Sequence, residues 1–423
     1  MKKAIPIIIT IIVTTIVVLL FMNFFTAEKK IEKKLETHYG VGDPQFSRSV
    51  SVLLGPPFLP GNDVKVLTNG DEIFAAMLKG IKSAKTSITF ETFIYWNDSI
   101  GEEFAAALSE RAKAGVKVHV LLDWLGSVKM DQDKLDQMRQ AGVQIQRYHK
   151  PHWSHLPRLN NRTHRKLLII DGKLGFTGGV GIADQWRGDA RNPKEWRDSH
   201  FQVTGPAVAQ MQAVFMDNWI KAQGKVLHDE TYFPPLKTTG TMEAQMFSSS
   251  PSGGSDSMQL MYLMAIAAAQ HSIDLSIAYF VPDKLAVEAL IAAAKRGVKI
   301  RIITPGEYID TETVRKASRE NWGALLKAGI KIAEYQPTMY HCKILIVDNL
   351  LVSVGSTNFD NRSFRLNDEA NLNVLDAEFA GEQVGIFNED WRKTKLVTYE
   401  AWEQRPFTDK VLEKFAVLLK SQL

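Results

Sequence analysis

The pattern His-x-Lys-x4-Asp occurs twice in this chain, as His164-Arg-Lys166-Leu-Leu-Ile-Ile-Asp171 and as His341-Cys-Lys343-Ile-Leu-Ile-Val-Asp348. Each copy runs on, after six further residues, into a glycine-led turn: Gly178-Gly179-Val180-Gly181 in the first and Gly355-Ser356-Thr357-Asn358 in the second. The surroundings repeat too. Ser87–Tyr95 reads as a buried strand, Glu102–Ala114 as a helix and Gly115–Asp123 as a second strand; Ser272–Tyr279, Leu285–Arg296 and Gly297–Thr304 repeat that order. The glycine opening each second strand is a helix C-cap signal. A chain patterned this way folds as two like halves.

Strands alternating with helices imply an α/β fold: a mixed, mostly parallel sheet with flanking helices in each half. The expected units are a first domain over 60–233, a connector over 234–257 rich in Pro, Ser and Gly, and a second domain over 258–400. A C-terminal amphipathic helix over 401–423 is expected to pack on the second half, because Val411, Leu412, Phe415, Leu418 and Leu419 recur at helical spacing.

Side chains alternate faces along a strand, so His164 shares a face with Lys166, and His341 with Lys343. The full motifs, Asp171 and Asp348 included, form the candidate catalytic set. The two aspartates fall on the opposite face and precede Gly172 and Asn349, a hairpin signal, so they are expected to fix turns. Aligning Asp198-Ser-His-Phe-Gln-Val203 with Glu369-Ala-Asn-Leu-Asn-Val374 puts Asp198 and Glu369 at equivalent positions. A carboxylate on one imidazole nitrogen would set the tautomer and raise the basicity of the other. One cysteine in the chain excludes a multi-thiolate zinc site. His149, His152 and His155 cluster before the first motif, where a loop that gates substrate is favoured over a metal site.

The paired segments resemble those of the phospholipase D superfamily, and within it the bacterial cardiolipin synthases. The run Asn358–Leu372 is similar to theirs throughout, as are Phe176–Gly179, Trp196-Arg-Asp198 and Tyr279–Asp283. The resemblance covers residues 60–400. It implies that the two halves meet in one active site needing no cofactor or metal. One histidine attacks phosphorus to give a phosphohistidine, with His164 in that role. The other, His341, passes a proton to the leaving alcohol and takes it from the incoming one. Lys166, Lys343, Ser356, Asn358 and the backbone at Gly178 and Gly179 would hold the phosphate. Three departures stand out: Gly181 where that family has Asn, Ala278 where the lipid synthases often carry Pro, and one apolar segment where many relatives have two.

That segment, Ala4–Phe25, is an uncharged apolar tract, and a single transmembrane anchor over 4–25 with a linker over 26–59 is expected. The apolar core of a cleaved signal peptide is usually shorter, about 7–15 residues. Residues 1–36 hold six lysines and three glutamates, which leaves 45 basic and 44 acidic residues beyond them. So balanced a body disfavours nucleic acid as a partner. The resemblance therefore implies a phosphatidyltransferase in the bacterial cell membrane that uses phospholipids, phosphatidylglycerol above all, to make cardiolipin and glycerol. A phospholipase D releasing phosphatidic acid, a nucleic-acid phosphodiesterase and a scaffold with a decayed site are the alternatives.

Overall fold

The computed structural model describes residues 4–22, 31, 33–148, 150, 160–251 and 257–418. The first half supplies strands β1 (Leu59–Thr68), β2 (Ser87–Thr92), β3 (Lys117–Asp123), β4 (Gln144–Tyr148), β5 (Arg162–Thr163), β6 (Leu167–Ile170), β7 (Leu174–Gly178) and β8 (Ser199–Thr204). Then follow β9 (Met242–Ser249), β10 (Ser272–Ile277), β11 (Phe280–Val281), β12 (Lys299–Pro305), β13 (Lys331–Tyr335) and β14 (Lys343–Val347). The last four are β15 (Leu351–Gly355), β16 (Phe359–Asp360), β17 (Asn367–Leu375) and β18 (Thr394–Val397).

All but β11 and β16 join one sheet, in the order β18-β13-β12-β10-β14-β15-β17-β9-β1-β8-β7-β6-β2-β3-β4, with the short β5 beside β17. Reading outward from the β9/β1 contact, each half repeats the same strand order, and β18 is added at the outer edge of the second. The stretch expected to be a mere connector thus carries β9, the counterpart of β1, and the antiparallel β1/β9 pair is the seam.

The expectation of a mostly parallel sheet is corrected. Parallel pairing in the main sheet is confined to β2–β3–β4, β10–β12–β13 and the short β5/β17 pair. There, crossover helices such as Ser99–Lys113 and Lys284–Lys295 return the chain to the same edge. The motif strands β6 and β14 enter instead as arms of tight hairpins, and a hairpin pairs antiparallel. Asp171 (φ 53°) and Gly172 (φ 62°) turn the first; Asp348 (φ 54°) and Asn349 (φ 52°) turn the second.

These hairpins also settle the two aspartates. Asp171 accepts hydrogen bonds from the backbone N–H groups of Lys85, Thr86 and Ser87. Asp348 does the same for Gln270, His271 and Ser272. Each carboxylate clamps its turn to the start of the neighbouring strand, and neither lines the pocket described below. Their place in the catalytic set is therefore withdrawn.

The halves share a core. One apolar cluster contains Phe201, Met211 and Trp219 from the first half and Ile344, Val354 and Leu372 from the second, so buried apolar packing runs across the seam. The C-terminal helix Phe407–Leu418 buries Ala416 against Val314 and Ala317. Glu413, buried beside it, pairs with Arg405 at 2.7 Å.

At the other end, Ala4–Met22 is a helix of 19 uncharged residues. At about 1.5 Å per residue it is about 28 Å long, just short of a hydrocarbon core of about 30 Å. Among the described residues no helix is long and apolar enough to cross a membrane. The expected anchor runs on to Phe25, and residues 23–30 lie outside the described residues, as does the His149, His152 and His155 cluster.

Candidate active site

Both motifs begin where the chain leaves one half and touches the other. The residues before His164 form β5, which pairs with the first residues of β17 in the second half. The His164 N–H donates to the Asp368 carbonyl at 2.8 Å. In mirror image, Arg197 bridges to Tyr340, and the His341 N–H donates to the Arg197 carbonyl at 2.8 Å. Each histidine backbone is thus pinned beside the residue that precedes the opposite half's carboxylate.

The side chains follow. His164 Nδ1 lies 3.0 Å from Glu369 Oε1, a partner 205 residues away. His341 Nδ1 lies 2.7 Å from Asp198 Oδ2, 143 residues away. Sequence alignment found both carboxylates, but the pairing is crossed: each half orients the other half's imidazole. Glu369 and Asp198 are almost wholly buried. Burial alone would raise their carboxyls, but the facing histidine and lysines outweigh it and hold both below their ordinary value. Burial pushes both imidazoles down, opposed by the bound carboxylates and reinforced by the neighbouring lysines. Each ring is therefore neutral near pH 7. With Nδ1–H donated to a carboxylate, Nε2 keeps its lone pair.

The two carboxylates are steadied differently. Glu369 accepts from the Ser356 hydroxyl, which in turn accepts from the Ala370 N–H at 3.0 Å. Asp198 accepts from the Trp186 indole N–H at 3.1 Å and the Ser199 N–H at 2.8 Å. Arg197 beside it is locked by Asp390 at 2.9 Å. Gly179 occupies the position equivalent to Ser356. A Cβ there would fall 2.3 Å from Asp198 Oδ1, and one at Gly178 would fall 2.6 Å from His200 Nδ1. Neither glycine lines the pocket; Gly179 makes room for the carboxylate and Gly178 for His200, which corrects their expected role as phosphate holders. Ser356 likewise spends its hydroxyl on Glu369.

His164, Lys166, His341 and Asn358 line one pocket of about 420 Å³. Lys166 and Lys343 donate to the carbonyls of His164 (2.8 Å) and His341 (2.6 Å), and Lys343 Nζ also lies 3.1 Å from His341 Nε2. Burial lowers both ammonium groups, Lys166 to about 7. Two imidazoles, each with a carboxylate on Nδ1, and two adjacent ammonium groups suit nucleophilic displacement at an anionic phosphorus centre. Among the described residues no cluster able to hold a metal ion is present.

The walls contain residues that the motif reading missed. Trp186 and Trp196 each sit 5.3 Å from the His341 ring, and Phe93 lies 5.3 Å from His164. Asn367, Arg162 and Arg362 complete the His164 side. Trp196, Arg362 and Asn367 lay inside the segments that carried the resemblance, while Trp186 had no signal beyond following Gly181 by five residues. At Gly181, a Cβ would come within 2.7 Å of the Ile94 Cβ and 3.1 Å of the Trp186 ring. The amide that Asn358 offers thus has no counterpart at position 181, where the indole fills the space. Gly181→Asn is expected to overpack this wall and cost about 1–3 kcal/mol, read as a lower urea midpoint with the slope unchanged. An unaltered midpoint would contradict that packing.

The chain is similar to known proteins over both halves. A family profile described as "Cardiolipin synthase, PLD-like domain" matches residues 77–190 and 262–391. A cardiolipin synthase of Geobacillus sp. (strain WCH70) is 35% identical over 370 residues, covering 87% of this chain and 74% of that protein. Cardiolipin synthase 1 of Bacillus anthracis is 32% identical over 405 residues, 93% of this chain and 79% of its own length. The crystal structure of phosphatidylserine synthase from Haemophilus influenzae Rd KW20 superposes with a TM-score of 0.69 at 16% identity, covering 90% of this chain and all of that one, a likeness of fold. With both halves matched and both motifs meeting in one pocket, this chain belongs to the cardiolipin synthase family of phospholipase D-like enzymes.

Proposed function

We propose that this protein is a membrane-bound phosphatidyltransferase that joins two phosphatidylglycerol molecules into cardiolipin and releases glycerol. The observation that carries the reading is the crossed pair of carboxylate-bound histidines in one pocket. Relatives named cardiolipin synthase support the substrate class.

In the proposed reaction the phosphodiester enters between the imidazoles. His164 Nε2 attacks phosphorus while the bond to the glycerol oxygen breaks, and His341 delivers a proton to that oxygen. The phosphodiester's own negative charge raises the affinity of His341 for that proton. The phosphatidyl group now rests on His164. The hydroxyl of a second lipid gives its proton back to His341 and attacks phosphorus, freeing His164. Lys166, Lys343 and the Asn358 amide stabilise the charge on the non-bridging oxygens. The uncharged tract Ala4–Phe25, which contains the helix Ala4–Met22, would tether this body to the membrane that holds its substrate.

A lysine that titrates near 7 has a kinetic consequence. Lys166 is protonated below that pH and loses its charge above it, and the charged form is the one that binds phosphate. KM for phosphatidylglycerol is therefore expected to be flat below about pH 7 and to rise by up to about tenfold per unit above it. A KM independent of pH from 6 to 9 would contradict the role of Lys166.

The test of function is a product assay. Purified full-length protein in mixed micelles with phosphatidylglycerol should yield one glycerol per cardiolipin by mass spectrometry. Phosphatidic acid as the sole product would favour the hydrolase reading, and no turnover would reject the phosphatidylglycerol assignment.

A further inference from the structure

The segment that leads into the first histidine is held from behind by a buried acid that the reaction does not use. Glu91 stands on β2 between Leu121 of β3 and Leu167 of β6, fully buried. Its Oε1 accepts from the Thr163 hydroxyl at 2.5 Å and from the side-chain amide of Asn218, on the helix Ala207–Gln223, at 2.8 Å. Its Oε2 has no hydrogen-bond partner among the described residues. Thr163 immediately precedes His164, and its N–H donates to Asp123 at 3.1 Å. Through Thr163, β5 is thus fastened to the ends of β2 and β3 while it pairs with β17 just before Glu369. The second half has its own version. The Tyr340 hydroxyl, immediately before His341, lies 2.9 Å from Ser276 Oγ and 3.1 Å from Asp390 Oδ2. Ser276 pairs with Ile344 as Glu91 pairs with Leu167, so it holds the position of Glu91. Asp390, on the helix Ala377–Trp391, holds that of Asn218. In both halves a hydroxyl beside the histidine meets a buried acid, but the acid has changed places, and Asp390 is matched by Arg197. Burial instead pushes Glu91 up to about 7, against the pull of Arg165, Thr163 and Asn218, with Asp368 adding to the rise. The Tyr148 hydroxyl also feels its charge.

We propose that Glu91 is a positioning residue for the catalytic step: through the Thr163 hydroxyl it fixes β5, and with it the His164 imidazole, against Glu369. The proposal takes the role of His164 from the phosphatidyltransferase reading and adds the group that holds it in line. A neutral amide of the same shape would accept both hydrogen bonds without placing an ionisable group among Leu121 and Leu167, where burying charge is unfavourable. What the carboxylate alone adds is a stronger, charge-assisted acceptor for Thr163. A nucleophile displaced by about 1 Å can lose about 100-fold in rate, so a stiffer clamp on β5 repays its cost in the reaction and not in the fold. Glu91 touches neither the pocket nor the reacting atoms; it acts only through Thr163.

The experiment compares wild type, Glu91→Gln, Thr163→Val, Thr163→Ser and the double variant of Glu91→Gln with Thr163→Val, all full-length, by cardiolipin formation between about pH 6 and pH 8.5. Glu91→Gln is expected to approach wild type at the acid end, where the carboxyl is protonated. At the alkaline end it should lose about tenfold in kcat with KM within about twofold, the gap between a charged and a neutral acceptor. Taking the ratio of the two proteins at each pH cancels the titration of Lys166 and of the histidines. Burial raises this carboxyl from 4.5 to about 7, so the folded protein holds the proton more tightly than the unfolded chain does. Wild-type stability therefore falls as the pH climbs between those values, and at the alkaline end the thermal midpoint of Glu91→Gln should equal or exceed that of wild type. A residue with only a structural role would lose midpoint and activity together. Thr163→Val is expected to lose about 10–100-fold in kcat at the alkaline end, Thr163→Ser to recover most of it, and the double variant to be no worse than Thr163→Val. A kcat ratio that stays near one at every pH, or a pH-independent loss with a lowered midpoint, overturns the proposal. Additive losses in the double variant do the same. If Thr163→Val does not fold, the Glu91→Gln ratio decides the matter alone. A wild type that forms no cardiolipin overturns the transferase reading instead, and the ratio is then read from the release of 4-nitrophenol from bis(4-nitrophenyl) phosphate.

Discussion

His164→Ala and His341→Ala are each expected to cut turnover of phosphatidylglycerol by about 10⁴–10⁶-fold, and the double variant to be scarcely worse than either single one. The reason is the division of labour. In the proposed reaction one imidazole forms the bond to phosphorus while the other moves the proton without which the alcohol cannot leave, so removing either stops the same cycle. Neither change should unfold the protein, because both rings face the pocket and their backbone N–H bonds to Asp368 and Arg197 remain. Residual activity of more than about one per cent in either variant, measured as cardiolipin formed by a fully folded sample, would contradict a shared two-histidine site. The duplication sharpens this test. Were each half a separate site, each single variant would retain about half of the activity.

The second large effect crosses the seam. Glu369→Gln and Asp198→Asn are each expected to lower kcat by about 10²–10⁴-fold while leaving KM within a few-fold, since an amide of the same size cannot fix the Nδ1–H tautomer. The signature lies in which histidine fails. Glu369→Gln should act on His164, and Asp198→Asn on His341, because the contacts run between halves at 3.0 and 2.7 Å. Combining Glu369→Gln with His164→Ala should therefore add almost nothing, whereas carboxylate and histidine taken from different pairs should differ from this in the reaction step they slow. Additive losses within a crossed pair would break the assignment. Asp198 has the stronger supporting network, with the Trp186 indole and the Arg197–Asp390 ion pair around it. Its variant is accordingly expected to lose more thermal stability than that of Glu369.

Much of this site could be read from residue order. The repeated motif identified His164, Lys166, His341 and Lys343, and the internal alignment added Asp198 and Glu369 without any structural information. The crossing of those pairs could not be read, because an alignment of repeats compares like with like and is silent on which half faces which. The sheet direction was misread for a related reason. Apolar runs such as Leu167–Ile170 and Ile344–Val347 look alike whether their neighbours run parallel or antiparallel, and only the Asp-Gly and Asp-Asn turns betray hairpins. Asp171 and Asp348 travel with the motif because they anchor those turns, so proximity in sequence suggested a chemical role that geometry removes. Gly178 and Gly179 misled similarly: the demand on them is empty space beside Asp198 and His200. Trp186 was invisible, since a lone indole after a loop carries no periodicity, yet it both fills the gap at Gly181 and donates to Asp198. The strand within the expected connector was masked by its short apolar content, Ala244, Met246 and Phe247 being its buried apolar side chains.

The most direct measurement on the central claim is to trap the phosphatidyl group on the protein. His341→Ala keeps the proposed nucleophile but lacks the proposed proton donor and base that releases the adduct. Mixed with a phosphatidylglycerol analogue bearing a good leaving group, quenched at alkaline pH and digested, it should show the phosphatidyl mass on the peptide that contains His164. His164→Ala treated the same way should show none. An adduct on His341 instead would reverse the two roles while keeping the chemistry. Wild-type turnover of that analogue with no adduct in any variant, on any histidine, would contradict a covalent route through this site.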